Sequence, residues 1–191
     1  MGKLKETILY SRLKSKDREA FIEMYDLYAD KIYRFIFFKI GNEEEAKDLT
    51  SSVFLKAWNY ININRLKDYD SLKSLVYKIA RNAVIDYYRA ASVQNNLPLD
   101  DELARRIPSE SEESALESRA EIFSDFELVR KKMAELKDEY REIIILRFIE
   151  DLSIGEIAKV VDKSKGNVRV LTYRALKALK DLIEQDNKFK Q

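Results

Sequence analysis

Apolar residues recur at steps of three and four along most of the chain, the spacing of helices with one buried face. Over residues 17–40 they fall at Phe21, Tyr25, Tyr28, Ile32, Phe35, Ile36 and Ile40, and Gly41 follows as a residue able to end a helix in the left-handed conformation. Asn42 and Glu45 then have capping-box spacing, opening a second helix with Ala46, Leu49, Val53, Ala57 and Tyr60 on one stripe and Phe54 and Trp58 beside it. The segment 59–70 (NYININRLKDYD) is polar and asparagine-rich and reads as a loop. A third helix is expected from about Ser71 to Ala91, with Leu72, Leu75, Ile79, Ala83 and Tyr87 inward and Lys73, Lys78, Arg81 and Arg89 on the other face. Phe21, Tyr25, Phe35 and Phe54 read as core. Tyr60, Tyr69, Tyr77 and Tyr88 lie off or beside the stripes near cations, where aromatics can stack unpaired bases.

The pattern lapses over roughly 92–125, which holds both prolines (Pro98 and Pro108), scattered serines and few large apolar residues. This stretch reads as a linker with a short helix over 112–122. Periodicity resumes with Leu128, Val129, Met133 and Leu136, then Tyr140, Ile143, Ile144 and Phe148. Beyond it, Ser153 and Glu156 form a capping box, and Ile154, Ile157, Ala158 and Val161 supply the buried face of a short helix. Asp162–Lys163 makes a tight turn in which Asp accepts a positive φ, Ser164 caps the next helix, and Val168, Leu171 and Leu179 face inward. This is helix-turn-helix spacing: small Ala158 lets two helices approach and Val168 plugs the angle between them. The second helix would present Lys165, Asn167, Arg169 and Arg174 toward base edges and phosphates of a major groove. The expected fold is all-α: two small helical domains, residues 1–92 and 126–191, the second ending in the helix-turn-helix, joined by the acidic linker 93–125.

Composition narrows the chemistry. Four glycines and two prolines in 191 residues are too few for the turns of an all-β fold. With no Cys and no His, disulfides, zinc fingers, thiol nucleophiles and His-based catalytic triads are excluded. The net charge of +1 hides a pattern: +4 over residues 1–92, −7 over 93–127 and +4 over 128–191. Between 163 and 180 there are six cations and no acid, which points to a polyanionic partner. Glu43, Glu44, Glu45 and Asp48 are the densest acidic cluster and suit a helix's first turn better than a metal site, so no metal, no cofactor and no catalysis are expected. The start MGKLKETILY is charged and the longest apolar runs are four residues, so a cytoplasmic protein without membrane insertion is expected. On these residues the C-terminal helices read as a DNA-binding helix-turn-helix, the alternative being a helical hairpin whose basic face is merely solvated.

Three stretches in order carry a family likeness: EEEAKDLTSSVFLKAW (43–58), YKIARNAVIDYYR (77–89) and DEYREIIILRFIEDLSIGEIAKVVDKSKGNVRVLTYRALKAL (138–179). In them the chain resembles the extracytoplasmic-function (ECF) group of bacterial sigma factors, the promoter-recognition subunits of RNA polymerase in the sigma-70 family. The resemblance implies that residues 1–92 dock on the β′ clamp helices of core RNA polymerase through Asp48, Leu49, Ser51, Ser52, Phe54 and Leu55. It also implies that they open the −10 element of promoter DNA through Asn62, Asn64, Arg65, Lys67, Tyr69, Lys73, Tyr77, Arg81, Asn82 and Arg89, with a flipped base held in the 59–70 loop. Residues 126–191 would sit near the β flap and read the −35 element with Lys163, Ser164, Lys165, Asn167, Arg169, Val170 and Arg174. An anti-sigma factor is the further implied partner. Departures from the family pattern are Ser51 and Ser52 in place of Gln and an acid, Leu75 in place of Trp, and Val170–Leu171 in place of Ser–Arg.

Overall fold

Asp17 starts the first long helix: its carboxylate accepts from the backbone N–H of Glu19, and Arg12 holds that carboxyl below the usual aspartate range through a 2.8 Å hydrogen bond. The structure, a computed structural model, describes residues 3–63, 72–94, 129 and 131–189. The N-terminal block consists of α1 (Lys3–Lys14), α2 (Arg18–Ile40), α3 (Glu43–Ile63) and α4 (Leu72–Gln94). Helix α1 has no counterpart in the sequence reading; Leu9 and Leu13, four apart, are buried against the core, and Arg12 reaches Glu23 of α2 at 2.8 Å. Gly41 closes α2 at φ 72°, its N–H donating to the carbonyl of Phe37 at 2.8 Å, and Asn42 accepts from the Glu45 N–H to open α3. A Gly41→Ala variant should lose about 1 kcal/mol in chemical denaturation, because a Cβ strains the left-handed cap.

Helix α2 packs on α3 and α4, and α3 on α4. Their shared core holds Met24, Ile32, Phe35, Ile36, Val53, Phe54, Leu72, Leu75 and Val76. Phe35 and Phe54 are core as expected. Phe21 is half-buried against Trp58, ring centroids 4.7 Å apart, and Tyr25 is exposed while its ring still covers Phe54. Helix α3 runs on to Ile63, so the start of the expected 59–70 loop is helical, with the Asn62 amide donating to the carbonyl of Trp58. Residues 64–70 of that loop, residues 95–125 of the linker with the 112–122 helix, and Leu128 lie outside the described residues.

The C-terminal block continues through a helical segment at 131–135 to α5 (Asp138–Ile144), α6 (Ile154–Val160) and α7 (Lys165–Phe189). Between α5 and α6 the backbone makes one π-helical turn, Ile145–Ile149, in which the Glu150 N–H reaches the Ile145 carbonyl at 3.0 Å. That turn advances the register by a residue. Phe148, expected inward from its four-residue spacing to Ile144, is therefore 53% exposed, and the Glu150 side chain is turned into the interior instead. Ser153 and Glu156 form the reciprocal capping box, Asp162 takes φ 55°, and Ser164 accepts from the Asn167 N–H at 3.1 Å. Helix α7 packs on α5 and α6, with Ala158, Val161, Val168 and Ala175 buried and Leu171 and Leu179 partly so.

The two blocks touch. Helix α6 lies against α4, and α2 meets the π turn. This second contact explains why α4 buries Tyr77, Ala80 and Val84 as well as its expected stripe. Among the described residues no helix is long and apolar enough to cross a membrane.

Candidate nucleic-acid interface

Two cationic surfaces result, and they differ in what surrounds them. The first is the N-terminal half of α7. Ser164 fixes the start of the helix and Val168 and Ala175 plant it in the core, so Lys165, Asn167, Arg169, Val170 and Arg174 all stand exposed. Among the described residues, no acid forms an ion pair with Lys165, Arg169 or Arg174. Lys163 is exposed at the turn and pairs with Glu139 of α5 at 3.0 Å. Val170, 49% exposed, sits among these cations with Tyr173 and Leu176 further along. Long cations on a solvent-facing helix N-terminus, fixed by a second helix at a tight turn, form a geometry that enters a major groove.

The second surface is the outer side of α4, and here protein groups already occupy the cations. Arg81 donates from Nε to both oxygens of Glu142, at 3.0 and 3.1 Å. Lys78 pairs with Asp162 at 2.6 Å, and Lys73 donates to the backbone carbonyl of Asp151 at 2.9 Å. Tyr77 is fully buried, and its hydroxyl donates to Glu150 at 2.6 Å; burial beside that carboxylate drives the phenol far above its ordinary pKa. Arg34 of α2 reaches the same carboxylate at 3.3 and 3.4 Å, and buried Lys39 pairs with Asp138. The Tyr88 hydroxyl donates to the carbonyl of Lys39, and burial pushes its pKa up to about 12. Tyr77 and Tyr88, read as candidates for stacking on bases, are thus engaged within the protein here. Asn82 and Arg89 are exposed on α4. Asn64, Arg65, Lys67 and Tyr69 lie outside the described residues.

On α3, Asp48, Ser51 and Leu55 are exposed, Leu49 and Ser52 are half-buried, and Phe54 is in the core. Ser51 spends its hydroxyl on the carbonyl of Lys47. Among the described residues no three acids converge as metal ligands, Glu43, Glu44, Glu45 and Asp48 included. The sequence reading missed Arg34, Glu150 and Asp138 as members of this surface. The available signal was Glu150, a carboxylate closing an otherwise apolar run, but its direction depends on the π turn.

Residues 24–93 match the family described as Sigma-70 region 2, and residues 126–179 match Sigma-70, region 4. The chain belongs to the sigma-70 family, in its ECF group. Among similar sigma factors, BldN of Streptomyces coelicolor is 32% identical over 93% of this chain and 66% of its own length. SigW of Bacillus subtilis is 29% identical over 88% of this chain and 91% of its own length. SigM of the same organism is 29% identical over 84% and 93%. In fold, the chain is similar to CnrH, solved in complex with the cytosolic domain of CnrY, with a TM-score of 0.66 and 21% identity over 95% of this chain and 98% of that one. It is also similar to RpoE from Bartonella quintana, solved with the anti-sigma factor NepR, with a TM-score of 0.65 and 18% identity over 86% and 96%. In sigma factors, regions 2 and 4 bind core RNA polymerase and recognise the −10 and −35 elements of promoters, initiating transcription.

Proposed function

We propose that this sigma factor reads −35 duplex with Lys163, Ser164, Lys165, Asn167, Arg169, Val170 and Arg174, phosphates taking the long cations and base edges taking Asn167 and its neighbours. Residues 1–92 dock on the β′ clamp helices through the outer side of α3, where Asp48, Leu49, Ser51, Ser52 and Leu55 are accessible and Phe54 supports them from below. The same domain opens the −10 element with Asn62, Asn64, Arg65, Lys67, Tyr69 and the α4 residues Lys73, Tyr77, Arg81, Asn82 and Arg89. Residues 93–125 link it to the 126–191 domain, which sits near the β flap. The chain is a non-catalytic cytoplasmic subunit that uses no cofactor and is held in check by an anti-sigma factor. Ser51 and Ser52 are small, so the clamp contact leans on Leu55, which is 67% exposed.

The observation that carries this reading is the acid-free, exposed N-terminal half of α7, packed on α6 across the Asp162 turn in a chain that matches regions 2 and 4 in order. Run-off transcription with purified core polymerase on a genomic template library is the test. Discrete transcripts that require the full chain are expected, and their start sites would reveal the promoter motif. A folded chain that neither yields transcripts nor co-elutes with core polymerase would refute the reading; a stable homodimer in that case would mark a free-standing regulator.

A further inference from the structure

A helix that plants Val168 and Ala175 in the core must aim Val170 and Tyr173 the opposite way. Val170 is 49% exposed and Tyr173 71%, one helical turn apart on the same outward line. Arg169 and Arg174 stand on opposite sides of that line, each about 70° from it around the helix axis. The exposed face of this half of α7 is therefore an apolar strip between two rails of cations. Among the described residues no acid forms an ion pair with either arginine, so an apolar protein surface laid on the strip would bury two guanidinium groups without counterions. The major groove of B-DNA offers the matching arrangement, with a phosphate backbone along each wall and base edges along the floor.

The chemistry of that floor narrows the match. Its groups are hydrogen-bond donors and acceptors, and the C5-methyl of thymine is the one sizeable apolar exception. Valine neither donates nor accepts. Set over a guanine or cytosine edge, it strips water from polar atoms and returns no hydrogen bond. Set over a methyl group, it removes apolar surface of both partners from water. Val170 also stands where the family pattern has serine, whose hydroxyl can bond a polar edge. We propose that Val170, with Tyr173 beside it on the outward line, is a specificity-determining residue that seats the C5-methyl group of a pyrimidine in the −35 major groove. The proposal deepens, and rests on, the reading of α7 as the −35-contacting helix. Thymine and 5-methylcytosine carry the same methyl, and the test distinguishes them.

Sequences are first selected with the full chain from a duplex library that is random over about one helical turn. In the enriched sequence each thymine is then replaced singly by uracil, which pairs identically and lacks only the methyl. At one T·A pair this replacement should weaken binding about fourfold in fluorescence anisotropy, the factor that burying one methyl group supplies. At the same pair, 5-methylcytosine should bind more tightly than cytosine, and whichever of thymine and 5-methylcytosine binds better names the source of the methyl. Val170→Ser should bring the thymine-to-uracil ratio close to one. Val170→Thr keeps one methyl in the same shape and should retain part of the ratio. Arg169→Ala should weaken both duplexes alike and leave the ratio unchanged. Both positions are exposed, so these variants leave the core intact. Insensitivity to uracil at every thymine of the selected sequence would overturn the proposal, and so would a ratio that survives undiminished in Val170→Ser. If no sequence is enriched from the library, the −35 reading itself fails, and the proposal falls with it.

Discussion

Alanine at both Arg169 and Arg174 is expected to weaken binding of −35 duplex about thirtyfold near 0.15 M salt and to flatten the salt dependence by about two units. Each phosphate neutralised on B-DNA releases close to 0.9 of a counterion, which at that salt is worth about 0.7 of a log unit, or about fivefold per arginine. Both guanidinium groups stand exposed on α7 and, among the described residues, neither is tied to an acid, so little is lost inside the protein when they are removed. The effect should be measurable on the free chain, because the contact between the blocks leaves this half of α7 uncovered. Fluorescence anisotropy across a salt series separates the outcomes. A reduced slope with unchanged sequence preference marks phosphate contacts, and a relaxed preference at one base pair marks base readout. An unchanged slope in both single variants would remove the two residues from the interface.

The second large effect is on stability. Arg141 is among the most deeply buried side chains, and its guanidinium donates to the carbonyls of Met133, Ala134 and Leu136 at 2.9, 2.8 and 3.3 Å. Those carbonyls lie at the end of the 131–135 helical segment, where Met133 also accepts the Leu136 N–H at 3.2 Å and the helix dipole favours a cation. Burial lowers the Arg141 pKa, yet a guanidinium starts so high that the group stays charged. Arg141→Ala removes the side-chain donor from the Ala134 and Leu136 carbonyls, while Met133 keeps the Leu136 N–H, and should cost about 3 kcal/mol, lowering the melting temperature by about 6–12 °C. Arg141→Lys should recover only part, since an ammonium lacks the planar fork that spans several carbonyls at once. Thermal denaturation followed by circular dichroism reads both variants. A change of under about 1 kcal/mol for the alanine variant would show that solvent satisfies those carbonyls.

Where a feature is fixed by neighbours along the chain, it could be read before the structure was known. The Ser153–Glu156 box, the positive φ at Asp162, the Ser164 cap and the Gly41 terminus are each decided by a few consecutive residues, because hydrogen bonds of caps and turns close within one turn of helix. The buried stripes of α2, α3 and α7 follow from spacing alone. Helix α1 was not read from the sequence, although Leu9 and Leu13 keep helical spacing and both are buried. Tyr25 and Phe148 carried the right spacing and the wrong outcome: Tyr25 is the outer member of a ring pair, and Phe148 was moved out by the π turn.

The candidate site divides along the same line. Its α7 half was legible as a run of cations with no acids, and the structure places those side chains on one exposed surface. The α4 half was legible as residue types but not as a state. Whether Arg81 faces water or Glu142 depends on a partner 61 positions away, and whether Tyr77 is a surface ring or a buried donor depends on Glu150, 73 positions away. Sequence by itself determined the all-helical class, the helix-turn-helix and the alternation of charge between segments, since each rests on periodicity and local hydrogen bonding. Only the tertiary structure decided that the two basic blocks meet, that one cationic surface is closed while the other stays open, and that a π turn supplies the carboxylate between them. Such pairings join residues far apart along the chain, and their energies depend on burial and distance, which no local pattern encodes.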